Sequence, residues 1–206
     1  MIPDTTSPTK PDAPWGRWLS AVIAVAVMAA VLFAIELIDT VMDGRLDAHG
    51  IVPRSWSGLL GILWAPFLHA DFAHLVGNLL PGVVLGFFVV LSGHAVAVTA
   101  VIWATSGLGV WLISPSDSVT IGASGIVFGW LTFLIVRGAF NRDVWQVLGG
   151  IVVVFIYGGI LWGALPGTAG VSWQGHLFGA IGGVLAAAVT ARDKPEKPAL
   201  DQGGFR

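Results

Sequence analysis

Residues 72–116 read FAHLVGNLLPGVVLGFFVVLSGHAVAVTAVIWATSGLGVWLISPS, without a single Asp, Glu, Lys or Arg. A helix needs roughly 20 apolar residues to cross the hydrocarbon core of a bilayer. The stretch therefore fits two crossings, parted at Ser92-Gly93-His94. Outward from it, 118–136 is also uncharged and fits one crossing, opening at Ile121-Gly122-Ala123-Ser124. Residues 144–191 fit two more, broken at Leu165-Pro166-Gly167, and the apolar run 18–38 adds another. The expected fold is all-α: a polytopic membrane protein built as a bundle of six transmembrane helices.

Composition agrees. Of 206 residues, 55% are hydrophobic and 11% charged, and 28 are Gly. A soluble domain could not hide that much apolar surface behind so few charges. A net charge of −2 leaves no basic footprint for nucleic acid. The absence of Cys removes thiolate nucleophiles, zinc–thiolate sites and cysteine-bound clusters. The first apolar run is too long for a signal-peptide core and reads as a retained span.

Lys and Arg tend to stay on the cytoplasmic side. With six spans, Lys10, Arg17, Arg137, Arg142, Arg192, Lys194, Lys197 and Arg206 fall on one side and only Arg45 and Arg54 on the other. Both termini are thus expected in the cytoplasm, with the protein multi-pass in the cell inner (plasma) membrane. The organisation reads as a cytoplasmic amino tail over 1–17, a six-span domain over 18–191 and a disordered cytoplasmic carboxyl tail over 192–206. The first connection, about 42–72, contains an uncharged stretch rich in Trp and Leu, including Trp56, Leu60, Leu63 and Trp64. It is too short to span and suits the outer interface. Glu36 and Asp39 read as the polar end of the first span.

Polar side chains at membrane depth need a reason. His74 and Asn78 open the second span, Ser124 the fourth and His176 the sixth. Even-numbered spans start on the outer side in this topology, so all four share one depth. Singly, each has a plain alternative: a Ser bonding its own helix, a wet interfacial His, an Asn joining helices. Gly122, Gly125 and Gly129 surround Ser124, and Gly179 and Gly183 follow His176. Such small residues let helices approach closely, enough for Ser124 and His176 to share a hydrogen bond. His74 and Asn78 are four apart and share a helix face, as donors toward a developing oxyanion require. On residues alone, three other readings stay open: a transporter with broken helices, a metal site using His69, Asp71 and His74, and an inactive binder of single-span helices.

The stretches His69-Ala70-Asp71-Phe72-Ala73-His74 with Asn78, Gly122-Ala123-Ser124-Gly125, and Gly175-His176-Leu177-Phe178-Gly179 with Gly183 resemble the rhomboid intramembrane serine proteases of the six-span bacterial type. The resemblance covers roughly 18–191. It implies a rhomboid-like bundle with an interfacial first loop, and cleavage of transmembrane protein substrates near their outer end. It further implies that Ser124 is the nucleophile and His176 its general base. His74, Asn78 and the Ser124 N–H would form the oxyanion hole, Phe128 would stack on the imidazole, and no metal or other cofactor is expected. The family often carries a Trp-Arg pair in the first loop where this chain has Leu60-Gly61, which puts the anchoring of that loop in question.

Overall fold

Side-chain caps and apolar runs set the helix boundaries in the computed structural model, which describes residues 14–167 and 170–191. Helix α1 runs Pro14–Val41, α2 Trp56–Trp64, α3 Phe72–Leu91, α4 Ala95–Ile113, α5 Ser124–Asn141, α6 Val144–Tyr157 and α7 Trp173–Val189. The side chains of Ser55, Asp71, Asp143 and Ser172 accept from first-turn N–H groups of α2, α3, α6 and α7. These donors have no intrahelical acceptor, and in lipid water does not serve them. No strand occurs among the described residues, which carry only an isolated bridge between Ile51 and Thr120.

Five of the helices are long and apolar enough to cross a membrane, α6 being continued by a tighter 3-10 segment, Gly158–Ala164. The sixth, α7, has 17 residues, which reaches about 26 Å at 1.5 Å per residue. The six-helix bundle is thus present, with one boundary change. Helix α1 begins at Pro14, inside the stretch read as a tail, while 1–13 and 192–206 lie outside the described residues.

Helix α5 is the centre. Leu131, Phe133 and Leu134 from it meet Leu85 and Val89 of α3, Val98 and Ile102 of α4 and Ala186 of α7 in the main core. Its tightest partner is α7. A Cβ on Gly179 would overlap the carbonyl oxygen of Gly125, and one on Gly183 that of Gly129. Backbone touches backbone along this seam, so the two helices sit closer than any larger residue permits. Helix α6 is the opposite case: Phe155, Ile156 and Trp145 on it are largely exposed, as lipid-facing side chains are.

The first loop is tied down from α4. Trp103 Nε1–H donates to the Ile62 carbonyl and Trp111 Nε1–H to the Ser55 carbonyl at 2.8 Å. Arg54 donates to the Leu112 carbonyl at 3.0 Å and to the Ser116 hydroxyl. This answers the question raised by Leu60-Gly61. Gly61 lies against the Gly50 carbonyl with no room for a Cβ, and the anchoring comes from Arg54, Trp103 and Trp111 instead. Trp56, Leu60, Leu63 and Trp64 point away from the protein, as an interfacial loop requires.

Glu36 and Asp39 differ from expectation. They are buried, at 3% and 4% exposure, rather than forming a wet helix end. The chain turns back over them through Asp43 and Gly44, at φ 58 and 72, and Leu46 N–H donates to Asp39 Oδ1 at 2.7 Å.

Candidate active site

The turn 120–123 delivers Ser124 to the first position of α5. Two first-loop groups hold that turn. Gly122 N–H donates to the Ala65 carbonyl at 2.8 Å, and Ala123 N–H reaches His69 Nε2 at 3.4 Å. Gly122 has φ 110, a backbone state that favours glycine. His69 is 1% exposed, and burial, with His74 beside it, pushes its pKa down to about 4. It is therefore a neutral ring that can accept from Ala123.

The Ser124 hydroxyl lies 2.9 Å from His176 Nε2, across the glycine seam between α5 and α7. His176 Nδ1 lies 2.8 Å from the Gly163 carbonyl. A carbonyl only accepts, so Nδ1 carries the proton and Nε2 is the ring's free acceptor. The Ser124 hydroxyl therefore donates to Nε2, the direction that precedes proton transfer from Ser to His. Phe128, one turn after Ser124, stacks on the imidazole with ring centres 4.0 Å apart and planes 10° from parallel.

His74 and Asn78 stand across the site on α3. Ala70 N–H reaches His74 Nδ1 at 3.4 Å, leaving Nε2–H as the ring's donor. A Cβ at Gly122 would lie 2.8 Å from His74 Nε2 and 3.6 Å from Asn78 Nδ2, so both donors border the Gly122 turn. Asn78 also donates to the His74 carbonyl at 3.1 Å. Nearby, Pro81 lacks an N–H, so it cannot bond the Gly77 carbonyl as other helix residues would. Both Gly77 and Pro81 line a cavity of about 870 Å³ that also includes His74, Asn78, Ser124, Phe128 and His176.

The residues proposed from sequence for the site come to one place: Ser124, His176, His74, Asn78 and Phe128 at the cavity, Gly122 in the turn against His74 and Asn78, and Gly125, Gly129, Gly179 and Gly183 in the seam between α5 and α7. The Gly163 carbonyl was missed, and a backbone oxygen leaves no sequence signal. Asp71, considered above as a metal ligand, is engaged as the cap of α3, accepting from His74 N–H at 2.7 Å. Among the described residues, no three His, Asp or Glu side chains are placed to hold a metal ion.

The rhomboid domain matches this chain over residues 55–193. The chain belongs to the rhomboid family. An uncharacterized protein of Mycobacterium tuberculosis is similar to this rhomboid, 44% identical over 97% of this chain and 88% of its own. One from Mycobacterium leprae is 42% identical over 91% of this chain and 78% of its own. A rhomboid-like protease 5 of Toxoplasma gondii is 26% identical over 72% of this chain and 18% of its own. No solved structure matches this rhomboid.

Proposed function

We propose that this rhomboid is an intramembrane serine endopeptidase that cleaves transmembrane segments near their outer end. The observation that carries the reading is the Ser124 hydroxyl at 2.9 Å from an imidazole nitrogen whose ring tautomer is set by the Gly163 carbonyl. The charge distribution supports a multi-pass protein of the inner membrane with both termini in the cytoplasm, so that the cavity opens outward.

In the proposed reaction His176 Nε2 takes the Ser124 proton as Ser124 Oγ attacks the peptide carbonyl carbon. The carbonyl oxygen becomes an oxyanion at the start of α5, where first-turn N–H groups and the helix dipole favour negative charge. Ser124 N–H, His74 Nε2–H and Asn78 Nδ2–H are the donors that stabilise it. The imidazolium, steadied by Phe128 and the Gly163 carbonyl, gives its proton to the leaving amine. Water from the cavity, deprotonated by His176, then resolves the acyl-enzyme. The Gly163 carbonyl takes the orienting place that a carboxylate holds in a triad, without contributing a full charge.

The test is cleavage of a single-span reporter in liposomes, alongside fluorophosphonate labelling of Ser124. Wild type should cleave and label, while Ser124→Ala and His176→Ala should abolish cleavage and still insert. The double variant should be no worse than either single one, since the pair acts as a unit. Substantial cleavage by purified Ser124→Ala would overturn the mechanism.

A further inference from the structure

Of the polar side chains on the cavity wall that the proposed chemistry does not use, Gln174 and Ser114 are buried, whereas Ser118, Thr120 and Ser172 are half-buried. Gln174, in the first turn of α7, lines the cavity and is 8% exposed. Its carboxamide makes no hydrogen bond among the described residues. Ser114, the residue just after α4, lines the same cavity at 2% exposure, and its hydroxyl has no partner. Buried polar groups are normally paired, because each one left unpaired is destabilising. Here the Ser114 hydroxyl is sealed off without a partner, while the Gln174 carboxamide, also without one among the described residues, keeps access to solvent space, on the lining of the cavity that holds Ser124 and His176.

We propose that Gln174 and Ser114 form a subsite for the main chain of the unwound substrate segment, an assignment that rests on the protease reading. A helix that opens beside the scissile bond exposes peptide N–H and C=O groups that have lost their intrahelical partners. A glutamine carboxamide offers one acceptor and two donors, and so can pair with the N–H and C=O of one residue, which lie on the same side of an extended chain. The Ser114 hydroxyl, brought into the cavity by a staggered turn about χ1, serves a second unit. Recognition of this kind reads unwound backbone rather than side-chain identity. It rewards substrates that open easily, which a purely apolar wall would not do.

The test uses the whole protein in liposomes and a synthetic transmembrane peptide N-methylated at one peptide bond at a time around the cut. Gln174→Met should raise KM by about 5- to 30-fold with kcat nearly unchanged, and fluorophosphonate labelling of Ser124 should keep its wild-type rate. Ser114→Ala should give the same split with a smaller effect. N-methylation at one bond should raise KM in wild type and add nothing further in Gln174→Met, the non-additivity expected of two groups that pair. Gln174→Leu serves in place of Gln174→Met if the latter folds poorly. Unchanged KM in these variants, penalties that add at every bond, or labelling that falls with KM would overturn the subsite. A wild type that neither cleaves nor labels at Ser124 would instead overturn the protease reading, and the subsite with it.

Discussion

At Phe128 an aromatic ring, not a hydroxyl, faces the imidazole. Stacking at 4.0 Å needs only the ring, so Phe128→Tyr should keep activity in the reporter assay and Phe128→Ala should lower kcat while Ser124 and His176 remain in place. Equal activity of Phe128→Ala and wild type would leave orientation to the Gly163 carbonyl alone. The proposed oxyanion donors make a second residue-level prediction. Loss of one such donor typically lowers turnover on the order of 100- to 1000-fold. His74→Ala and Asn78→Ala should therefore lower kcat more than they raise KM, with smaller losses where the remaining donors compensate. Turnover unchanged in both single variants and in the double one would remove these side chains from the site.

Among the elements, α5 and α7 depend on one another through glycine. A Cβ at Gly179 meets backbone, which cannot rotate away, whereas Gly149 on α6 has nothing within 4 Å of its added Cβ. Gly179→Ala should destabilise by about 3 kcal/mol, and Gly149→Ala should stabilise by roughly 0.5–1 kcal/mol, measured by denaturation in detergent. Equal effects at the two positions would mean the seam is not closely packed. The first loop supplies a pH signature with two opposing slopes. The depressed pKa of His69, about 4, means that its stabilising contribution is complete above about 6.5 and is lost as pH falls toward 4, on the order of 3 kcal/mol. Asp47 is the reverse: burial first, then Asp39 and Glu36, raise it to about 6, so stability is lost as pH rises from about 4 through 6. Asp47 is partly solvated, which reduces its term to about 1 kcal/mol. Asp47→Asn should therefore raise Tm at pH 7 and leave it unchanged at pH 4. A Tm gain of the same size at both pH values would contradict the linkage.

On the scale of the whole molecule, the bundle is asymmetric: a core helix, α5, is packed on several sides, while α6 is covered almost entirely by whatever surrounds the protein. Around the cavity the proposed chemistry needs a substrate that has left its helix. Unwinding in lipid leaves peptide groups unpaired at several kcal/mol each, so it should happen where the segment enters the wet cavity. Small or helix-weakening residues near the outer end of a substrate should favour cleavage. Replacing them with Leu, with the residue at the cut itself retained, should slow cleavage of the reporter, as read from product formation and the mapped cut. A stiffened reporter cut at the original rate, or a cut at the cytoplasmic end, would contradict this account of access.

The six apolar helices and the residues of the candidate site were legible because each depends on something local. Gaps between charges such as 72–116 mark spans, since lipid excludes charge, and a polar side chain like Asn78 or Ser124 stands out against an apolar background. The family motifs added what spacing alone left open. Other features depend on groups that meet only in three dimensions. The Gly163 carbonyl that sets the His176 tautomer is a backbone atom with no side-chain signature, and it lies 13 residues away along the chain. Glu36 and Asp39 looked like a wet helix end because sequence marks a span's exit without showing what folds over it. The first loop is held by Arg54, Trp103 and Trp111, whose partners are carbonyls of other segments. Sequence by itself thus determined which segments are apolar enough to enter the membrane and which side chains are available for the proposed chemistry, because partitioning and side-chain identity are properties of the chain. Only the tertiary structure decided which backbone oxygens orient those side chains and which polar groups are left unpaired at the cavity, because hydrogen bonding to main chain depends on position and not on residue type.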